Sequence, residues 1–430
     1  MTADILARFR IPVFLAWRGR CLPSIPDRSG NHVPHRWRSI LLIIASIACG
    51  WIGWSGEVLF LPIAVVFPLL WAKAPSRTVA ALVAAGYFLA ASRGLPQGVA
   101  NFYAASLWPG LALWVMASLS FVIVHAVLWT KPCGDTSGKR AQDTGTALRY
   151  LLAMALTGLP PFGITGWAHP LTAAGVLFSG LGWWGLGATS ILLVLLTGRK
   201  WQLAVGVLVG LHVWSATNWT PPKQTPGWMA VDLKQGANLG RDSSLQYHRE
   251  LIASVRKAAE AGENVGVVVL PESALGFWTP TAARVWQEDL HGSDITVIAG
   301  AAVIDSRGYD NVMVVISDHA EEVPYRQRMP VPGSMWQPWL QLTGEGGDAR
   351  PDFFGNPVVK VDGVRVAPLI CYEQLILWPV LQSMLHAPQV IVAVGNGWWT
   401  ENTSIVATQK ATVTAWASLF SLPVVMVFNT

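Results

Sequence analysis

The sequence predicts a multi-span α-helical membrane bundle followed by an α/β domain. Of its 430 residues, 52% are hydrophobic and only 13% are charged, whereas a soluble protein carries about 25% charged residues. The deficit is uneven, because charged residues are scarce from Ser39 to Ala216 and reach an ordinary soluble density from Asp232 to Glu322. The chain is therefore expected to have a membrane half and a globular half.

The first segment, residues 1–38, is basic and rich in proline. Its arginines outnumber the single acidic pair, Asp4 and Asp27, and its one apolar piece, IPVFLAW, is too short to span a membrane. The segment also lacks the small-residue cleavage site of a signal peptide. We interpret it as a basic cytoplasmic tail.

Residues 39–219 contain about seven apolar segments and form the predicted membrane domain. The segments lie near 39–54, 58–72, 78–92, 106–129, 147–167, 171–197 and 201–217. Several are shorter than the roughly 20 residues that span about 30 Å of hydrocarbon. Tilted helices and inexact boundaries are therefore part of the interpretation.

Lysine and arginine alternate between rich and poor loops along this membrane domain, as the positive-inside rule requires. With the tail inside, the outer loops hold only Arg93. The inner loops carry Lys73, Arg77, Lys131, Lys139, Arg140, Arg149, Arg199 and Lys200. An odd number of spans places everything after Trp219 outside the cytoplasm.

A Pro-rich linker, TPPKQTPG at residues 220–227, precedes the globular domain at residues 228–430. Strand and helix patterns alternate beyond it, with a Pro-rich irregular stretch after NVMVVIS and a hairpin, VVKVDGVRVAPLICYE, that turns at Asp362-Gly363. The other strands are WMAVDL, VGVVVLPE, ITVIAGAAVI, NVMVVIS, VIVAVGN and VVMVFN, and the helices lie near 241–262, 281–291, 375–386 and 403–420. This alternation favours an α/β fold with functional residues at strand ends.

Polar side chains follow three of the apolar strands. Glu272 follows VVVLP, Cys371 and Glu373 follow the strand APLI, and Asn396 follows IVAVG. A thiol needs a base before it attacks a carbonyl, and a carboxylate in a dry pocket has the raised pKa that suits this task. Taken singly, each residue also has a structural interpretation, since free cysteine is among the most buried residue types. Together they favour a catalytic arrangement.

The cysteines and the net charge restrict what the protein binds. Cys21, Cys49, Cys133 and Cys371 show no CxxC spacing, and only Cys371 lies in the globular half, so that domain can form no internal disulfide. We therefore predict no metal and no other cofactor. The net charge of +5 comes largely from the tail, and no basic stripe alternates with aromatic residues, so no direct nucleic acid binding is predicted.

Five motifs resemble the apolipoprotein N-acyltransferase branch of the nitrilase (carbon-nitrogen hydrolase) superfamily. They are LPESALGFW, YRQRMPVP, PLICYEQL, GNGWWTENT and VVMVFNT, in that order behind a bundle of spans. The opening spans, SILLIIASIACGWIGWSGEVLFLP, are more similar still to plasmid conjugal transfer proteins. The resemblance implies a nitrilase-like αββα sandwich in a multi-pass protein of the bacterial inner membrane, with the C-terminal domain periplasmic.

In that superfamily a glutamate, a lysine and a cysteine act together. The resemblance implies that Glu272 is the general base, Cys371 the acylated nucleophile and Glu373 a supporting acid. The lysine is missing, because YRQRMPVP places Gln327 at its position, and a neutral amide lacks the charge that stabilises an oxyanion by several kcal/mol. Met335 also stands where an acidic residue is expected. Substitution by Arg326 or Arg328 is not favoured, because neighbours on an extended segment point to opposite faces.

The resemblance also implies partners and leaves three functions open. The partners are membrane lipid, with a phospholipid as acyl donor, and either a lipoprotein or proteins of the mating apparatus. The protein is an acyltransferase, an amidase that uses water, or a catalytically inactive scaffold that serves conjugal transfer. Five tryptophans either form a lip at the membrane interface, where substrate enters, or are ordinary packing residues. They are Trp278, Trp336, Trp339, Trp398 and Trp399.

The C-terminal end departs from the acyltransferases. They continue into a further strand and a last transmembrane helix, whereas this chain stops at Asn429-Thr430. We expect either a truncated fragment or a protein that has dropped the anchor.

Overall fold

The structure is a computed structural model that describes residues 35–131, 139–238, 244–262, 264–318, 320–343 and 347–430. Most of the predicted cytoplasmic tail, including Cys21, lies outside the described residues. The same is true of Cys133 and of the side chains of Lys139 and Arg140. The predictions made for these residues therefore stay predictions.

The N-terminal half is helical. Its α-helices are α1 (His35–Gly53), α2 (Phe67–Ala72), α3 (Arg77–Ala91), α4 (Leu95–Tyr103), α5 (Leu107–Leu128), α6 (Lys139–Gly158), α7 (Ala174–Leu177), α8 (Gly182–Leu196) and α9 (Trp201–Thr217). Within the described residues, α1 from Arg36 onward and α5 are long and apolar enough to cross a membrane. Helices α3 and α4, bent by 49° at their junction, make a third candidate when they are counted as one span.

Large apolar side chains cover the outer surface of this half. Trp184 is 87% exposed, Trp108 is 77% exposed and Leu203 is 66% exposed, and many leucines and isoleucines of α1, α5, α8 and α9 are similarly open. Soluble monomers rarely expose such wide apolar surface, because water disfavours it. The surface therefore suits a hydrocarbon environment.

The C-terminal half is an α/β domain, as predicted, and it contains two mixed sheets. The first sheet has the order β1 (Trp228–Ala230), β2 (Val267–Val269), β3 (Thr296–Asp305), β4 (Gly308–Ile316) and β5 (Glu321–Arg326). The second has the order β6 (Val359–Val361), β7 (Val364–Ile370), β8 (Val390–Asn396) and β9 (Val424–Asn429). The helices are α10 (Leu245–Ala261), α11 (Pro280–Leu290), α12 (Pro338–Thr343), α13 (Leu377–Met384) and α14 (Ile405–Phe420).

The two sheets stack face to face, with helices on both outer faces. Alternate residues of each strand point to opposite sides, so Val269 of the first sheet meets Val392 and Val427 of the second in one buried cluster. Helices α10 and α11 cover the outer face of the first sheet, where Val255 and Trp286 are fully buried. Helices α13 and α14 cover the second sheet. Parallel β1–β2–β3 and β7–β8–β9 ladders place their C-terminal ends at one edge of the stack.

Helix α14 joins the α/β domain to the helical half through a shared core. Gly175 of α7 lies so close to α14 that a Cβ there would stand 1.9 Å from the Ala415 carbonyl oxygen. The Tyr372 hydroxyl donates to the Ile164 carbonyl oxygen at 3.1 Å. The helical half thus forms one wall of the space above the second sheet.

Local elements differ from the sequence prediction at three places. The stretch predicted to be irregular contains strand β5, which tolerates Pro324 because it is an edge strand with a register shift opposite Met313 and Val315. The helix predicted near 375–386 is present as α13, but a 3-10 turn that was not predicted, Cys371–Gln374, precedes it. The single segment predicted at 171–197 is broken into α7 and α8.

Candidate active site

Cys371 lies where β7 ends and the 3-10 turn Cys371–Gln374 begins. Its φ of +47° is in the left-handed region, which costs free energy for a non-glycine residue and persists only when the surroundings hold it. Gln409 of α14 contributes to that restraint, because its Nε2 donates to the Cys371 carbonyl oxygen at 2.9 Å. The thiol is almost fully buried, at 5% exposure. A sharp strand-to-helix turn of this kind projects a side chain away from the backbone.

Glu272 lies in the segment that follows β2. Its Oε1 accepts a hydrogen bond from Asn311 Nδ2 at 2.7 Å, while Oε2 is buried and has no hydrogen-bond partner among the described residues. Gly300 of β3 lets this segment approach, because a Cβ there would stand 2.5 Å from Glu272 Cα. The carboxyl thus keeps one free acceptor oxygen in a dry site.

Glu272 and Cys371 are close enough to shift each other's pKa. Burial raises the pKa of Glu272 to about 7, against the opposing effects of the Asn311 hydrogen bond and of the neighbouring Cys371 thiol. Burial, with the Glu272 charge beside it, raises the pKa of the Cys371 thiol well above its ordinary value. At neutral pH the thiol is therefore protonated and stands beside a carboxyl that is ready to take its proton.

Gln327, which the resemblance matches to the lysine of the superfamily, lies just after β5. It is fully buried, and its Nε2 donates to the Ile370 carbonyl oxygen at 3.1 Å. Its Oε1 accepts from Asn311 Nδ2 at 2.9 Å. Asn311 therefore links Gln327 to Glu272, and the link carries no positive charge.

Glu373 holds the parts of the site together. Its carboxylate accepts four hydrogen bonds, from the Tyr325 hydroxyl at 2.7 Å and from the backbone N–H groups of Ile370 at 2.7 Å, Arg328 at 2.6 Å and Met329 at 3.2 Å. Burial raises its pKa, while the Arg328 guanidinium and these donors oppose the rise. Because the donors come from both sides of the site, Glu373 fixes the segment of Gln327 relative to Cys371.

The two arginines beside Gln327 do not replace the missing lysine. Arg328 is fully buried and directs its guanidinium at the Pro368 and Pro379 carbonyl oxygens, at 3.1 and 2.8 Å. Arg326 pairs with the Asp310 carboxylate instead. Each points away from Gln327, in agreement with the alternation expected for an extended segment.

A cavity of about 610 Å³ opens above Glu272 and Cys371. Its floor includes Asn396, the third polar strand end that the sequence singled out, and the opposite wall comes from α4 and α5, with Val99, Leu113 and Met116 among its apolar residues. Such a volume is ordinary for a ligand site. The site is thus shared between the α/β domain and the helical half.

The five tryptophans separate into two groups. Trp339, Trp398 and Trp399 line the cavity. Trp336 packs edge-on against Phe353 with ring centroids 5.6 Å apart, and Trp278 packs against the core of the first sheet. Ordinary packing thus applies to Trp336 and Trp278, and the interfacial lip stays a prediction for the other three.

Sequence reasoning missed two polar residues of the site, Asn311 and Gln409. Asn311 stands inside an apolar strand pattern, and Gln409 stands inside a helix, so neither follows a strand end. Asn311 is 3% exposed and Gln409 is 2% exposed. In the described part of the chain, no group of three or more His, Cys, Asp or Glu side chains could hold a metal ion.

Comparisons with known proteins place these residues in a family context. The carbon-nitrogen hydrolase family matches residues 89–418. The chain is 61% identical over 431 residues to the conjugal transfer protein TraB of Agrobacterium fabrum, covering 100% of both chains. It is 59% identical over 390 residues to a probable conjugal transfer protein TraB of Sinorhizobium fredii, covering 91% of this chain and 98% of that one.

More distant similarities exist as well. An apolipoprotein N-acyltransferase of Verminephrobacter eiseniae is 24% identical over 310 residues, which are 63% of this chain and 57% of that one. Among solved structures, an amidase from Nesterenkonia sp. is 13% identical with a TM-score of 0.34, covering 47% of this chain and 74% of that chain. A carbon-nitrogen hydrolase from Helicobacter pylori is 12% identical with the same TM-score, covering 47% and 72%.

Proposed function

Because this chain belongs to the carbon-nitrogen hydrolase family, together with the conjugal transfer proteins TraB, we propose that it carries out acyl-transfer or amide chemistry through a thioester at Cys371. The observation that carries the proposal is the free Oε2 of Glu272, buried beside a protonated thiol at the floor of a cavity. A buried carboxyl oxygen without a hydrogen-bond partner is costly to the fold. A catalytic role explains why the protein keeps it.

The first half of the reaction forms the thioester. Glu272 takes the thiol proton while Cys371 Sγ attacks the substrate carbonyl carbon, so no free thiolate has to accumulate. Two neutral donors lie close to the sulfur and are available to the developing oxyanion: the Gln409 amide, whose Nε2 lies 3.8 Å from Sγ, and the Asn396 backbone N–H. The amine or alcohol then leaves with the proton that Glu272 held.

The second half regenerates the thiol. Water or an amine attacks the thioester carbonyl, Glu272 again accepts the proton, and the sulfur leaves and regains it. Water would make the protein an amidase, and an amine would make it an acyltransferase. The 24% identity to an apolipoprotein N-acyltransferase favours a lipoprotein amine as acceptor.

We infer that the protein is a multi-pass protein of the bacterial inner membrane that serves conjugal transfer, with residues 39–219 as seven spans and residues 228–430 periplasmic. Helical structure lies in each of the seven predicted apolar segments, and two of these helices, or three with the bent pair, are long and apolar enough to cross a membrane by themselves. The alternation of Lys and Arg between loops supports the orientation. The 61% identity to a conjugal transfer protein supports the process.

A catalytically inactive scaffold of the mating apparatus is the second candidate. Gln327 favours it, because this residue replaces the charged partner of the oxyanion and is already bound to Asn311 and the Ile370 carbonyl. The retained Glu272 and Cys371 count against it. The two candidates differ in whether the sulfur atom is needed.

Replacement of single cysteines tests the proposal in a mating assay. Cys371→Ala should abolish the contribution of the protein to plasmid transfer, because the thioester cannot form. Cys49→Ala is the matched control, since Cys49 is also a buried free cysteine but lies in the helical half. It should retain transfer, as should replacement of Cys21 or Cys133. Full transfer by a stably expressed Cys371→Ala protein would favour the scaffold.

A further inference from the structure

The wall of the cavity carries one acidic side chain and, among the described residues, no basic one. Glu272 is the single carboxylate among the described residues that line it, and none of these is Lys, Arg or His. The other polar side chains of the wall are neutral, including those of Asn311, Ser334, Asn396 and Gln409. An anion that entered the cavity would meet one acid and, in the described part of the chain, no cation on the wall.

Cations near the site are bound to other groups. Arg328 is enclosed by backbone carbonyl oxygens and the Tyr325 hydroxyl, and it is fully buried. Arg350 binds the carboxylates of Asp305 and Asp310, and Arg326 binds Asp310 as well. Recruiting either surface arginine into the cavity would break a charge-assisted pair and leave a carboxylate unpaired.

The position of Cys371 decides which part of a substrate must be enclosed. The thiol is 5% exposed at the cavity floor, so the carbonyl that it attacks must lie deep, with its leaving group inside the same space. In a phospholipid the phosphate is only a few bonds from the ester carbonyl. It would therefore enter the cavity too, and burying an unpaired charge beside a second negative group is strongly unfavourable.

We propose that the cavity takes an uncharged fatty-acyl ester or amide, and not a phospholipid; this specificity rests on the thioester chemistry proposed for Cys371. The acyl chain lies against Val99, Leu113 and Met116, and the neutral leaving group faces the side-chain amides. The S–C bond of the thioester forms as the C–O or C–N bond of the substrate breaks, and the alcohol or amine leaves with the thiol proton. No additional reactant is required for this step.

A matched pair of lipids tests the proposal. Monopalmitoylglycerol and palmitoyl lysophosphatidic acid share chain and glycerol and differ by the phosphate. The full wild-type chain in detergent, with Glu272 in place, is alkylated with a maleimide, and mass spectrometry follows the rate at Cys371 and separates the maleimide adduct from any thioester by its mass. We expect monopalmitoylglycerol to halve that rate at a concentration at least tenfold lower than palmitoyl lysophosphatidic acid requires. A tenfold ratio is equivalent to about 1.4 kcal/mol in binding free energy. A smaller ratio, or no protection by either lipid, would overturn the proposal.

A cation placed in the wall provides the second arm of the test. Ser334→Lys adds an ammonium group at the cavity and should reduce the preference for the uncharged lipid at least fivefold. Ser254→Lys is the matched control, because Ser254 is exposed on α10, away from the cavity, and it should leave the preference unchanged. An unchanged preference in Ser334→Lys contradicts the proposal. The protection readout needs no thioester, so it fails or succeeds independently of the proposed chemistry.

Discussion

At the scale of single residues, the buried carboxyl of Glu272 should couple folding stability to pH. Its pKa rises from an ordinary 4.5 to about 7 because of burial, so the folded protein binds this proton more tightly than the unfolded chain. The stabilising contribution is complete below about pH 4.5 and is lost as the pH rises through about 7, a change of about 3 kcal/mol.

Glu272→Gln should remove that dependence, because glutamine keeps the bond to Asn311 but does not titrate. The difference in free energy of unfolding, variant minus wild type, should therefore be larger at pH 8 than at pH 5. Denaturant unfolding in detergent at the two pH values measures the difference. Identical pH dependence in both proteins would mean that Glu272 titrates normally.

Gln327 is the residue at which the site is expected to depart from its superfamily. Its amide satisfies the carbonyl oxygen of Ile370 and the amide of Asn311, so it preserves the geometry of the site while removing a charge. An oxyanion partner without charge lowers transition-state stabilisation by several kcal/mol. Slow chemistry is therefore expected of the wild-type site.

At the scale of elements, the contact between α7 and α14 depends on Gly175. A Cβ at this position would stand 1.9 Å from the Ala415 carbonyl oxygen, so Gly175→Ala must push α14, and with it Gln409, away from the helical half. We expect a loss of about 1–3 kcal/mol in stability, as for overpacked cores. Thermal unfolding in detergent measures it.

Gly187→Ala is the matched control for this contact. Gly187 is also helical, in α8, and a Cβ there would meet no atom within 4 Å. Alanine has a helix propensity about 1 kcal/mol better than glycine, so this variant should be as stable as wild type or slightly more so. Equal melting temperatures for both variants would show that α14 does not pack as described.

Sequence patterns predict strands and turns better than they predict the contacts of the site. Asp362 and Gly363 both have positive φ, 49° and 78°, as a two-residue hairpin turn requires, and the sequence identified that turn. Strand β5 was missed because Pro324 interrupts the strand pattern. Asn311 was missed because its importance comes from its contact with Glu272, which lies on another segment of the chain. The residue pattern within one strand does not show which residues of other segments lie beside it.

At the scale of the whole molecule, the sequence separates two domains where the structure shows one shared core. The linker at 220–227 is an irregular segment between α9 and β1. Across it, Tyr372 bonds to Ile164, a residue 208 positions earlier. Such a contact leaves no periodic signal in the sequence, so composition alone separates the halves without revealing that they share a cavity.

Reporter fusions test the orientation of the molecule. The positive-inside pattern predicts that a fusion after Lys200 is cytoplasmic and a fusion after Pro226 is periplasmic, because α9 would be the last span between them. Alkaline phosphatase and green fluorescent protein activities report the two sides. Finding both fusions on the same side of the membrane would contradict the seven-span interpretation.

Intact-mass spectrometry of the purified full chain tests the central claim, that Cys371 and Glu272 form a chemical site. After incubation with an acyl donor, wild type should carry one acyl group as a hydroxylamine-sensitive thioester at Cys371. Gln327→Lys should form it at least tenfold faster, because an added ammonium stabilises the oxyanion, and each tenfold corresponds to about 1.4 kcal/mol. Cys371→Ala should carry none in either background. Absence of the thioester in both wild type and Gln327→Lys would contradict the account and leave the cavity as a binding site without chemistry.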